Sequence, residues 1–310
     1  MPRIITYEFV LVIALGVFWG LNWPSVKVLL TELGPWTLRA IGLSFGAAGL
    51  AVWAMIVKQS LVPRPSEIIP LLVAGLLSIL GFNVLTAFGQ LLTETSSAVI
   101  VAFTMPMWAA LFSVLILAEM LTMNRLLALV LGMCGLAVLV FGEVEKFVQA
   151  PAGPLFMLGA ALSWAAGTVA LKSWTWSIGA IARAAWMVGV SAVPTVICAF
   201  VFEAPAEQAA LSLPVLAVLV YHIGFPMIVC HAVWVSLVGR LPASVAAIAT
   251  LLIPVVGVIS AALLLGDELG TGKLVALSLV LLSVALTFFQ WGGSSRSQDG
   301  IADQARGGQR

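Results

Sequence analysis

Apolar runs long enough to cross a bilayer follow one another along this chain, with only short polar or Pro/Gly-bearing breaks between them. A spanning helix needs about 20 apolar residues, because it rises about 1.5 Å per residue through about 30 Å of hydrocarbon. The pattern predicts helices near 6–30, 36–57, 67–90, 96–118, 124–142, 154–172, 178–202, 213–237, 244–266 and 272–291. The expected fold class is an all-α membrane protein with ten transmembrane helices. The first run, from Tyr7 to Leu30, exceeds the apolar stretch of a cleaved leader and reads as a helix.

Composition narrows the function classes. Of 310 residues, 62% are hydrophobic and 9% charged, whereas a soluble domain carries about 25% charged residues. Water would not solvate such a surface, so a soluble enzyme is excluded. A net charge of +1 provides no field for a polyanion. The expected partner is the lipid bilayer, with no nucleic acid. Cys134, Cys198 and Cys230 are odd in number and lie in apolar runs, so neither a disulfide framework nor a metal site is expected. No cofactor is expected either.

Orientation follows from the bias of Lys and Arg toward cytoplasmic loops. With the N-terminus inside, the inner side holds Arg3, Lys58, Arg64, Arg125, Lys172, Arg240, Arg296, Arg306 and Arg310. The outer loops hold Lys146 and Lys273 and are otherwise acidic, with Glu32, Glu94, Glu203 and Asp267 among them. Both termini are expected in the cytoplasm, in a bacterial-type inner membrane. Residues 292–310, rich in Gly, Ser, Gln, Asp and Arg, read as a disordered cytoplasmic tail.

The chain also repeats. At an offset of 148 residues, Ser96 meets Ser244, Pro106 meets Pro254, Glu119 meets Asp267 and Arg125 meets Lys273. Trp19 and Lys27 share the spacing of Trp164 and Lys172. Two five-helix halves are expected, 1–148 and 149–291. Five is odd, so the second half enters the membrane upside down. Inverted halves around a central cavity are how secondary transporters exchange outward-open and inward-open states.

Candidate substrate-binding residues are the polar and aromatic side chains at mid-depth. Trp usually belongs at the membrane interface. Trp19, Trp108 and Trp164 lie near helix centres instead, either as core packing or as a wall that stacks a flat substrate group. Asn22 and Asn83 must find partners in hydrocarbon, either between helices or on a substrate. Thr168 and Ser244 are further candidates, although hydroxyls can bond back to their own helix. His222, beside Tyr221 and near Phe225, is an intramembrane ionisable group and so a candidate for the cavity. Lys27 and Lys172 could meet a substrate or snorkel at helix ends. Pro106 and Pro254 are repeat-equivalent hinge candidates.

Trp19-Gly20-Leu21-Asn22 with Lys27, the Ala98-to-Pro106 stretch with Glu119, and its echo in Ala246, Pro254 and Asp267-Glu268 carry a family resemblance. The chain resembles the drug/metabolite transporter superfamily in its EamA-type ten-helix branch, over both halves to about Gln290. It looks most like the YddG-type exporters of aromatic and other amino acids. The resemblance implies helices one, three, four, six, eight and nine around the cavity, and an amino acid as the small-molecule substrate. The internal repeat supplies the pseudo-symmetry that smaller relatives reach by dimerising, so a monomer is expected.

Rival readings are a multidrug or nucleotide-sugar carrier of the same superfamily, and an intramembrane enzyme. The first would favour a buried acid, the second more buried cations for phosphates. The enzyme would need a nucleophile paired with a base. Gly42-Leu43-Ser44-Phe45-Gly46 fits a hydrolase elbow, but that motif needs a strand-turn-helix context. Gly42 and Gly46 read instead as a helix-packing face. No phosphate-binding loop is present to drive ATP-dependent pumping, and no mid-depth carboxylate commits the chain to proton coupling.

Overall fold

Every regular element in the computed structural model is a helix, among the residues it describes: 2–118, 123–142, 148–203, 210–238 and 243–289. The helices are α1 (Pro2–Leu29), α2 (Pro35–Ile56), α3 (Pro65–Leu92), α4 (Thr95–Leu117) and α5 (Met123–Gly142). They continue with α6 (Ala152–Ser173), α7 (Ala180–Phe202), α8 (Leu213–Trp234, running on to Val238), α9 (Ala243–Leu265) and α10 (Thr271–Phe289). Six of them, α2, α3, α4, α6, α7 and α8, are long and apolar enough to cross a membrane. The other four contain shorter apolar stretches, Ile13–Leu29, Leu126–Gly142, Leu252–Leu265 and Thr271–Leu286. Ser244 falls within α9, but its side chain lies outside the described ones, as do Glu119 and the tail from residue 290.

Large apolar side chains face outward in long rows, including Leu115, Ile116, Phe141, Phe200, Val201, Phe202, Leu263 and Leu264. Only an apolar solvent accommodates such a surface, so these rows mark the lipid-facing side.

The core runs along α4. All eight residues from Thr95 to Ala102 are buried, packed with Leu15 and Trp23 of α1, Met157 of α6 and Ile253 of α9. A turn at Phe103-Thr104 then interrupts α4, and Met105 restarts it with Pro106 in the first turn, where a missing N–H costs no bond. Pro254, its counterpart in sequence, sits inside the unbroken α9. The two hinge candidates therefore occupy different local structures.

Helices α2 and α7 lie antiparallel and cap each other. The Glu203 carboxylate, just past α7, accepts from the amides of Trp36 (2.9 Å) and Thr37 (2.7 Å) at the start of α2. The Gln59 amide oxygen, just past α2, accepts from Ala182 N at the start of α7 (3.1 Å). Each start follows a glycine in nearly the same conformation, Gly34 (φ −64°, ψ 155°) and Gly179 (φ −61°, ψ 153°). A Cβ on Gly34 would fall on the Glu203 carboxylate, and one on Gly179 on the Gln59 amide, so the caps need both glycines.

Two helices widen partway along. In α3 the segment Leu76–Gly81, and in α8 the segment Ile223–Cys230, are π-helical. Wide turns leave carbonyls out of the α-helical ladder. Side chains from neighbouring helices reach them: Ser163 Oγ of α6 donates to Leu77 O (2.6 Å), and Trp19 Nε1 of α1 to Pro226 O (3.2 Å).

Polar contacts gather at the two ends of the bundle. At the α1–α2 end, Asp267 accepts from Ser96 N at the start of α4 (2.7 Å), and Glu32 accepts from Ser212 N (2.8 Å). At the α2–α3 end, Glu67 accepts from Ser177 Oγ (2.9 Å), and Trp186 Nε1 donates to Leu61 O (2.6 Å).

Candidate functional site

Four aromatic rings from four helices stand in a row. Trp164 of α6 meets Phe82 of α3 edge-on at 4.9 Å between centroids. Phe82 meets Trp23 of α1 at 6.4 Å, and Trp23 meets Phe103 of α4 at 6.2 Å. Such spacings suit edge-to-face aromatic attraction. Trp19 stands apart from this row. It packs against α8, with His231 at 5.5 Å and Trp234 at 5.8 Å. Of the two Trp paired by the repeat, Trp164 joins the row and Trp19 supports the wide turn of α8.

The remaining hydroxyl and indole candidates mostly serve their own helix. Thr168 donates back to Trp164 O (2.8 Å), although its side chain is exposed. Trp108 Nε1 donates to Thr104 Oγ1 across the α4 turn (3.2 Å).

A polar cluster lies beside the aromatic row. His222 of α8 is fully buried, and its Nδ1 sits 2.7 Å from Asn22 Oδ1 of α1. An amide oxygen only accepts, so Nδ1 carries the proton and Nε2 keeps its lone pair. That Nε2 is the one buried side-chain nitrogen or oxygen without a partner among the described residues. It abuts α2 at Gly42, where a Cβ would stand 3.0 Å away. Gly46, one turn on, sits equally close to Met227, so the glycine pair does form a packing face for α8.

Arg39 is on the same face of α2, one turn before Gly42. It is 3% exposed. Its Nε donates to Asn83 O (2.7 Å) and its Nη2 to Thr86 Oγ1 (3.2 Å), both on α3. Asn83 is itself buried, its amide nitrogen bonded to Ile79 O (2.9 Å). No carboxylate among the described residues pairs with Arg39. Arg183, near the start of α7, by contrast stacks over Trp176 at 5.3 Å.

Lys27 turns inward at the α1–α2 end rather than snorkelling outward. Its ammonium donates to Gln90 O in the last turn of α3 and to Thr93 O just past it. Lys273 pairs with Glu94 and donates to Ser96 Oγ (3.1 Å) and Glu268 O (2.9 Å).

His222 and Asn22 thus pair with each other, Asn83 offers its carbonyl to Arg39, and Trp164 joins Trp23, Phe82 and Phe103 in the row. Sequence reasoning did not select Arg39. The available signal was a lone Arg inside a helix otherwise free of charge. It also missed Trp23 and Phe82, each adjacent in sequence to a residue it did select.

Comparison with known proteins agrees with this architecture. The description of the EamA-like transporter family matches residues 6–141 and 151–289. An "Uncharacterized transporter YvbV" of Bacillus subtilis (strain 168) is 27% identical over 292 residues, 94% of each chain. A "Probable amino-acid metabolite efflux pump" of Salmonella typhimurium is 27% identical over 296 residues, 88% of this chain and 92% of that one. A solved crystal structure superposes with a TM-score of 0.66 over 91% of this chain and 96% of its own, at 17% identity, which shows a shared fold. The apolar outward face, the helical bundle and the two matched stretches together make this chain a membrane transporter that belongs to the EamA-like transporter family, within the drug/metabolite transporter superfamily.

Proposed function

We propose that the protein is a secondary transporter that exports amino acids, aromatic ones foremost, across a bacterial inner membrane. The observation that carries the substrate class is the row Trp164–Phe82–Trp23–Phe103 beside a buried polar cluster. Flat apolar groups stack on such rings, and the polar cluster suits a charged head group. The named efflux pumps among its relatives support an amino-acid or related metabolite as cargo.

All ten helices cross the membrane in this reading, as two inverted halves, 1–148 and 149–291, that rock about the site. Reciprocal capping of α2 and α7 supports the inversion, because each helix start is closed by the residue that follows the other helix's end. The matching π-segments of α3 and α8 support it too. Both termini lie in the cytoplasm, the α1–α2 end faces outward, and a monomer suffices. The cargo moves down its own gradient or by exchange.

Counterflow of labelled tryptophan into proteoliposomes, with no imposed gradient, tests the reading. Uptake should be suppressed by unlabelled aromatic amino acids. Trp164→Ala should weaken apparent affinity about two- to tenfold, the worth of one lost aromatic contact. Absence of counterflow for every amino acid, in folded protein, would point to a drug or other metabolite carrier.

A further inference from the structure

Two features of the polar cluster are costly and unexplained by packing. Arg39 holds a permanent charge in the protein interior with no carboxylate partner among the described residues. A buried unpaired ion is among the least favourable states a side chain can take. On α8, against the same helix α2, His222 presents a lone pair with no donor among the described residues. A buried acceptor without a partner also destabilises. One feature wants an anion and the other a hydrogen-bond donor.

We propose that Arg39 and His222 anchor the zwitterionic head of the transported amino acid. The guanidinium receives the α-carboxylate and His222 Nε2 accepts a hydrogen bond from the α-ammonium. The assignment rests on the amino-acid reading above and adds to it the residues that recognise the two charges.

The chemistry fits each partner. A guanidinium fork matches a carboxylate through two parallel bonds. Arg39 spends its Nε on Asn83 O and one Nη2 bond on Thr86 Oγ1, and its other N–H groups have no acceptor among the described residues. Asn22 fixes the His222 tautomer so that Nε2 accepts. A neutral imidazole suits an ammonium, where a second cation would repel it.

The placement fits as well. Arg39 and Gly42 share a face of α2, and Nε2 of His222 lies against Gly42, so both anchors sit along that one face. Asn22 precedes Trp23, and Phe82 precedes Asn83, so the polar patch and the aromatic row begin at adjacent positions of α1 and α3. The π-segment of α8 starts at Ile223, directly after His222, and that of α3 ends at Gly81, just before Phe82. Wide turns recur at functional sites. Here one adjoins His222 and the other the α3 residues that hold Arg39, so a change of turn at either would open these buried anchors to a ligand.

The test is a competition series against labelled tryptophan counterflow. Tryptophanamide lacks the carboxylate and keeps the ammonium, while indole-3-propionate does the reverse. In the unaltered protein, tryptophan should compete about tenfold or more better than either analogue. Arg39→Gln should bring tryptophan and tryptophanamide to near equality. His222→Leu should do the same for tryptophan and indole-3-propionate, and Arg39→Lys should keep part of the carboxylate preference. Thermal melting of each variant reports folding.

If Arg39→Gln does not fold, the unaltered protein and Arg39→Lys still decide: equal competition by tryptophan and its amide in the unaltered protein overturns the proposal. Unchanged ratios in folded Arg39→Gln and His222→Leu overturn it too, and leave amino-acid transport standing. No tryptophan counterflow in the unaltered protein, nor of any other amino acid, overturns the functional reading and this assignment together.

Discussion

Gly167 of α6 packs directly on the backbone of the wide turn of α3. A Cβ there would lie 2.4 Å from Ser78 N and 2.8 Å from Ser78 Cα, both backbone atoms that cannot step aside. Gly167→Ala should therefore destabilise by about 1–3 kcal/mol, the cost of overpacking. Gly270→Ala, with nothing within 4 Å of its added carbon, should be near neutral. Melting temperatures in detergent compare the two. At this scale the sequence was legible where chemistry is rare. Asn22, Asn83 and His222 stand out in apolar helices; Asn22 bonds to His222, while the Asn83 side chain bonds to its own helix and its carbonyl to Arg39. Trp23 and Phe82 did not stand out, because aromatic residues are common in such helices and only the packing shows which rings meet.

The helices themselves were legible from their apolar runs, to within a few residues. The single polar gap at Thr93-Glu94 does separate α3 from α4. The π-segments and the Phe103-Thr104 turn were not legible, since hydrophobicity does not report which carbonyl an amide chooses. Nor were the caps, which come from residues far away in sequence. Glu203→Ala should strip α2 of its cap and cost about 1 kcal/mol. Glu32 offers a pH test outside the membrane. Bonds from the Ser212 hydroxyl and amide hold its carboxyl below the usual 4.5. A folded value below the unfolded one contributes stability that is complete above 4.5 and lost as pH falls through the lower folded value. The melting temperature should exceed that of Glu32→Gln above that range, with the difference closing on further acidification.

At the scale of the molecule, the family was legible from the shared Pro, acidic and basic positions, and its description matches two stretches, 6–141 and 151–289. The α2–α7 tie was not legible, since it joins residues far apart in sequence. The start of α2 is closed by a residue past α7, and the start of α7 by a residue past α2. Residues 1–148 produced alone should leave α2 open at its start and be recovered poorly. Produced together with a separate 149–310 chain, they should copurify and melt as one unit, and failure to associate would count against a shared core. The same arrangement sets an order of events at the ribosome. Trp36 waits for a partner 167 residues further along. At about 5–20 residues per second, α2 sits in the bilayer for roughly ten to thirty seconds with its first amides unmet. For that interval the newborn helix depends on water at the membrane surface, or on the insertion machinery, to shelter what Glu203 will later hold.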